Sequence, residues 1–255
     1  MVTAFRSVAG RFLVALLVAF AAGCATPRTT LPEVPPRHTL ADFRDQPFAV
    51  VADPWERFNR NMYQFNYNFD KYLFLPVVHG YEFITPVFVQ KRVSNFYSNL
   101  TDILNMGNSV FQLKGKEAAT TLGRLVTNST LGLGGLFDPA TKWGLKQHPE
   151  DFGKTLGYWG VPSGPYLVLP VFGPSSLRDA AGLGVDSGIK YALYWGSGLD
   201  GYDDSFAIAS GVTVLQAVDA RHLVGFRYYE SGYPFEYYIV RFLYHEKREL
   251  ESTKK

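Results

Sequence analysis

A mainly α fold is predicted by three features of this sequence. Apolar residues recur at spacings of three and four along most of the chain after residue 53. Helix-start and helix-stop residues bracket those runs, and no alternating apolar and polar run is long enough for a convincing strand. The 255 residues are 47% hydrophobic, which supports a sizeable core, yet only 19% are charged. That charge is below the ~25% usual for soluble domains. With 20 Phe, 16 Tyr and 4 Trp, the composition suits contact with a lipid interface better than a fully wetted surface.

The chain opens with a targeting pattern. Arg6 and Arg11 precede an apolar run from Phe12 to Ala22, too short for the ~20 residues a bilayer span needs, so residues 1–23 read as a signal peptide. Ala21-Ala22-Gly23-Cys24 resembles a bacterial lipobox, with Ala21 where Leu is usual, and this predicts lipidation of Cys24. Ala25 after it favours the outer over the inner membrane, by analogy with enterobacterial lipoproteins. Removing the leader lowers Lys plus Arg from 25 to 23, equal to the 23 Asp plus Glu, so no net positive charge drives nucleic-acid binding. A single cysteine excludes an intrachain disulfide and a cysteine-based zinc or iron–sulfur site. Residues 24–52 carry Pro27, Pro32, Pro35, Pro36 and Pro47 and read as a linker with a reach of ~30 Å.

The folded part, 53–248, starts at Asp53-Pro54-Trp55-Glu56, where Asp53 is expected to cap, Pro54 to occupy the first helical position and Glu56 to face the positive end of the dipole. Trp55, Phe58, Met62, Phe65, Phe69 and Tyr72 form one stripe of this helix. Beside it, displaced by ~100°, run Asn59, Tyr63, Asn66 and Asp70. Thr85-Pro86 opens a second helix through Val89, Val93, Phe96 and Leu100, with helical signal continuing to Leu113 and a stop at Gly115. A third carries Ala118, Leu122, Leu125, Val126 and Ser129 and breaks at Gly132-Leu133-Gly134-Gly135. A short helix follows Asp138-Pro139, and the adjacent carboxylates Glu150 and Asp151 suit a cap. Later helices are expected over Leu177 to Tyr194, around Ile208, Val212 and Leu215, and around Tyr238, Phe242 and His245. The charged residues after Glu246, including the tail 249–255, are expected to fray. The exception is Gly160 to Pro174, where Pro162, Pro165, Pro170 and Pro174 forbid a helix and keep the apolar stretch Tyr166 to Phe172 from pairing regularly. Such a loop must be buried in protein or lie against lipid.

No catalytic motif emerges, and no metal or cofactor is expected. Gly196 to Gly201 fits G-x-G-x-x-G but follows a helix, so it reads as a turn. Ser163 and Ser187 do not fit the nucleophile elbow, and His38, His79, His148, His222 and His245 lack metal-site spacing. The many Asn residues suit either helix-to-helix hydrogen bonds or a path for lipid headgroups.

Several separated segments, in order, carry a family resemblance: DPWERFNR at 53–60, Pro76-Val77, VSNF at 93–96 with Asn99-Leu100, GGLFD at 134–138, EDFGKTLG at 150–157, Gly160-Val161, GPYLVLP at 164–170 and GPSSLRD at 173–179. Asp219, Leu223, Ser231, Tyr238 and Arg241 follow in step. Together they resemble the MlaA (VacJ) family of outer-membrane lipoproteins. The resemblance implies a ring-like, helical domain embedded in the inner leaflet of the outer membrane and associated with a trimeric porin. It further implies that phospholipid misplaced in the outer leaflet passes through a central channel to a soluble periplasmic lipid carrier. That carrier serves an inner-membrane ABC transporter, and outer-leaflet asymmetry is kept. On this expectation Asn59, Tyr63, Asn66 and Asp70 lie on the polar side of an amphipathic path. The loop is its gate, with Gly160, Gly164 and Gly173 absorbing rotation around Pro165, Tyr166 and Pro170. A structural porin-associated lipoprotein and a periplasmic lipid-modifying enzyme stay open as alternatives.

Overall fold

The structure, a computed structural model, describes residues 51–196, 205–230 and 232–253. The signal peptide, Cys24, nearly all of the linker and positions 197–201 of the Gly-rich turn lie outside these residues. Within them the chain is mainly helical, as its periodicity predicts.

The first helix, α1 (Glu56–Phe69), begins with Trp55 at the cap position and no side-chain cap. Asp53 is not the cap expected of it: its carboxylate accepts from Asn59 Nδ2, the Tyr237 hydroxyl and Arg241 Nη1 at 2.8, 2.5 and 2.9 Å. A buried carboxylate gains more from a guanidinium than from one peptide N–H. After Phe69 the chain makes a π-helical turn, Asp70–Phe74, and continues as α2 (Leu75–Ile84), a helix the periodicity did not reveal. Pro76 explains both. Its ring has no N–H and would strike the carbonyl four residues back, and the wider turn, in which Leu75 N–H reaches Asp70 O, lets the helix pass it.

Thr85, extended before Pro86, ends α2, and α3 (Val87–Phe111) runs 25 residues. Gly115 opens α4 (Gly115–Thr130) instead of stopping a helix; the break is at Leu113, which takes φ +57°. The short helix expected after Asp138-Pro139 and the cap expected at Glu150-Asp151 both form. Asp138 accepts from Thr141 N–H at the start of α5 (Pro139–Lys142), and Asp151 accepts from Lys154 N–H at the start of α6 (Phe152–Tyr158).

The proline-rich loop does pair, contrary to expectation: β1 (Tyr166–Leu169) runs antiparallel to β2 (Gly173–Ser176), with Tyr166 opposite Ser176 and Leu169 opposite Gly173. Its prolines avoid the ladder. Pro165 precedes β1, Pro170 is in the turn, and Pro174 faces Val168, whose N–H points away from β2. Then come α7 (Leu177–Gly196), α8 (Ser205–Leu223) and α9 (Glu236–Thr253). The last helix does not fray at Glu246, because Arg248 is gripped by Asp151 and Asp179.

The distribution of side chains is inverted relative to a water-soluble domain. Asn59, Asn66, Asp102, Asn105, Asn108, Arg124 and Asn128 are buried, whereas Phe58, Phe83, Val87, Phe88, Trp143 and Trp159 are exposed. The small apolar clusters are rich in tyrosine: Tyr63, Tyr166, Val168 and Tyr237 form one, and Val78, Tyr81 and Val218 another. No described helix is long and apolar enough to cross a membrane.

Candidate functional site

The polar stripe of α1 faces inward, and its apolar companion faces out: Asn59, Tyr63, Asn66 and Asp70 are 0, 1, 2 and 5% exposed, while Trp55, Phe58 and Phe65 are exposed. The stripe meets the loop. Asn59 donates to Tyr166 O at 3.0 Å and accepts from Val168 N–H at 2.8 Å, and Asn66 donates to Leu169 O at 2.9 Å and accepts from Val171 N–H at 2.7 Å. Each amide thus closes on the C=O of one residue and the N–H two residues further, as a neighbouring strand would. The spacing explains why this works. Seven helical residues rise ~10.5 Å, and three extended residues rise ~10 Å, so the two amides keep pace with the chain: Asn59 meets the edge of β1 that faces away from β2, and Asn66 meets the carbonyl at the end of β1 and the Val171 N–H in the turn. An edge that would otherwise present bare peptide groups is covered by a helix.

The other two members of the stripe tie α1 to distant elements. Tyr63 donates to Glu236 Oε1 at 2.6 Å, and the same carboxylate oxygen accepts from Tyr229 N–H at 2.7 Å. Burial, reinforced by the Glu236 bond, pushes the Tyr63 phenol well above its ordinary pKa, so it stays a neutral donor. Asp70, at the start of the π turn, receives a two-pronged guanidinium from Arg221 at 2.6 and 2.8 Å, and Arg221 also donates to Val224 O and Phe226 O. All four side chains are therefore engaged by protein partners.

Of the predicted gate residues, Tyr166 is buried against Tyr237 and Tyr244, edge to face, and its hydroxyl has no partner among the described residues. Gly160, Gly164 and Gly173 take φ of +87°, +69° and +82°, so each uses a conformation glycine supplies without strain. Pro165 O accepts from Leu177 N–H at 3.1 Å, and Pro170 lies exposed in the turn. The stripe therefore meets Tyr166 and the turn directly, whereas Gly160 lies exposed before the hairpin.

Sequence reasoning missed Val171, Arg221 and Glu236. Arg221 and Glu236 lie more than 150 residues from the stripe, where no local pattern announces them. Val171 lies inside the apolar stretch read as an unpaired loop, and nothing local marks it as the residue that takes positive φ. It also missed a second network, in which the fully buried Arg124 donates to Asp102 Oδ2 at 3.0 Å, Thr141 Oγ1 at 2.9 Å and Leu145 O at 2.8 Å. Ser163 donates to Glu249 at 2.5 Å, and Ser187 is exposed on α7. Among the described residues no three of His, Cys, Asp and Glu are grouped to hold a metal.

Known proteins share this arrangement of sequence. The chain is 43% identical over 129 residues to an uncharacterised protein of Rickettsia prowazekii, covering 51% of each. It is 37% identical over 148 residues to the intermembrane phospholipid transport system lipoprotein MlaA of Escherichia coli, covering 56% of this chain and 59% of that one. To the MlaA of Haemophilus influenzae it is 33% identical over 174 residues, 66% of each. The chain thus spans about half the length of the first of these relatives. A chain solved in work on the structural basis for maintenance of bacterial outer membrane lipid asymmetry superposes with a TM-score of 0.62 at 28% identity, over 80% of this chain and all of that one. The family model described as MlaA lipoprotein matches residues 51–251, a stretch that holds both the amide-bearing helix and the hairpin it grips, and the chain belongs to the MlaA lipoprotein family.

Proposed function

We propose that this chain is the lipoprotein component of an intermembrane phospholipid transport route, removing phospholipid from the outer leaflet of the outer membrane and passing it to a periplasmic carrier. The inverted burial supports this reading above all. A surface of Phe, Val and Trp is costly in water and cheap in hydrocarbon, and an interior of Asn, Asp and Arg is tolerable there only if its groups bond to each other, as they do here. Cys24 is the lipid anchor, residues 24–52 tether the domain to it, and the domain sits in the periplasmic leaflet as a ring beside a trimeric porin.

A phospholipid joins a charged head to apolar tails, so its passage needs polar and greasy walls together. In this reading Asn59, Tyr63, Asn66 and Asp70 shape the polar side and hold the hairpin that closes it. The cargo is moved unaltered, so no nucleophile or base is required.

Expression of the full chain in cells lacking their own such lipoprotein tests this. Outer-leaflet phospholipid should return to wild-type levels, and the membrane-purified chain should carry phospholipid and an acylated Cys24 by mass spectrometry. A chain that co-elutes with a porin but neither holds lipid nor restores the leaflet would overturn the proposal in favour of a purely structural role.

A further inference from the structure

Arg92, near the start of α3, is a cation without a counter-ion. Arg60, Arg124, Arg178, Arg221, Arg241 and Arg248 each pair with a carboxylate, whereas Arg92 meets none among the described residues, and neither does its exposed neighbour Lys91. Its guanidinium lies instead against two rings, 4.5 Å from the centre of Phe88 and 4.3 Å from that of Phe137. Contact with two rings restrains the fork and leaves its free N–H groups to an outside acceptor. Nη1 makes one long bond, 3.3 Å to Leu136 O, Nε is shut from solvent without a partner, and Nη2 has none among the described residues. The Phe137 wall is held from beneath. Phe137 N–H bonds Gly132 O at 2.9 Å, Asn95 Nδ2 bonds Leu136 O at 3.1 Å, and at Gly135, φ +92°, a Cβ would lie 2.7 Å from Asn99 Cβ, so glycine lets the 131–138 loop lie close on α3. The same two elements expose Val87 and Phe88, and Leu131, Leu133 and Leu136.

We propose that Arg92, flanked by Phe88 and Phe137, is a binding site for the phosphate of a bilayer phospholipid with net negative charge, apart from the polar stripe of α1. A lone guanidinium among apolar side chains is costly where water is thin, and a phosphodiester offsets that cost by accepting from Nη1 and Nη2 together. The acyl chains then lie along Val87 and the leucines of the loop. Charge decides which headgroup is held. With Lys91 beside it and no carboxylate in contact with either cation, the site has nothing to hold the ammonium of a zwitterionic head, whereas a glycerol head brings no positive charge to repel. The site rests on the membrane seat proposed above and not on transport.

The test places the full-length chain in nanodiscs of mixed phosphatidylethanolamine and phosphatidylglycerol and counts the lipids retained by the released chain in native mass spectrometry. The wild type should retain phosphatidylglycerol about fivefold or more above its share of the bilayer, and Arg92→Gln should bring it back to that share. Arg92→Lys, which keeps the charge and loses the fork, should fall between them. Lys116→Gln removes one positive charge from an exposed position on α4 and should leave the enrichment unchanged, as should inorganic phosphate added to the solution. Enrichment that survives Arg92→Gln, that falls equally in Lys116→Gln, or that inorganic phosphate abolishes overturns the site. So does a wild type that enriches no lipid while Arg92→Gln loses a co-purifying membrane protein, which would make this face a protein contact. A chain that never enters the nanodisc sinks the membrane seat and the site with it. One that enriches the anionic lipid but clears none from the outer leaflet of cells sinks the transport reading and leaves the site standing.

Discussion

Arg248 shows how single residues hold this molecule together. It joins three helices, donating to Asp151 at 2.8 Å from each of Nη1 and Nη2, and to Asp179 at 2.9 Å from Nε and 2.8 Å from Nη2. Burial works against the charged form of Asp179, but hydrogen bonds from Arg248 and the Tyr244 hydroxyl outweigh it and hold the carboxyl at about 2. Asp151 is lowered too: burial opposes its charge, and Arg248 again prevails. A carboxylate depressed in the folded state contributes stability that is full above its unfolded value, near 4, and is lost as pH falls through the folded value. Arg248→Gln should therefore be less stable than wild type at neutral pH, with a gap that narrows between about pH 4 and 2. Thermal unfolding followed by circular dichroism across that range checks this, and a gap independent of pH would refute it.

At the scale of elements, close backbone approach matters more than propensity in one place. A Cβ on Gly182 of α7 would overlap the Gly153 backbone nitrogen and lie 2.7 Å from Gly153 Cα, so α6 and α7 touch main chain to main chain. Two residues on, Gly184 has nothing within 4 Å of a Cβ and is exposed. Gly182→Ala should cost ~2 kcal/mol or more, and Gly184→Ala should gain ~0.5–1 kcal/mol by helix propensity. Melting temperatures of the two variants separate close packing from intrinsic preference; equal effects would contradict it.

Which elements were legible in the sequence follows the same division. The helices around α3, α4 and α7 were readable because the spacing of their apolar residues is local, although Gly115 reads as a stop where it opens α4, and the cap at Asp151 because a cap is a contact between near neighbours. The hairpin was not, because its prolines argue against pairing until one knows which strand edge each faces. Asp53 likewise looked like a cap until Tyr237 and Arg241, some 185 residues on, claimed its carboxylate.

For the whole molecule, the inverted surface makes a measurable statement about its solvent. Trp55, Trp143 and Trp159 are all exposed. In reconstituted vesicles their fluorescence should be quenched more by brominated acyl chains than by aqueous iodide, since an apolar surface turned to lipid meets the chains and not the ion. The reverse order would place these faces in water and remove the main support for a membrane-seated domain.

The sequence by itself determined that the chain is helical, where most helices start, that one face of α1 is greasy and its neighbour polar, and which family it joins. These depend on residues close together along the chain, or on motifs that survive as strings. Only the tertiary structure decided that the polar face turns inward to meet the hairpin, that Arg221 and Glu236 reach back across the chain to hold it, and that Arg248 ties the last helix to Asp151 and Asp179. A hydrogen-bonding side chain carries no mark of its partner, and when both lie in the interior the fold alone selects which donor meets which acceptor.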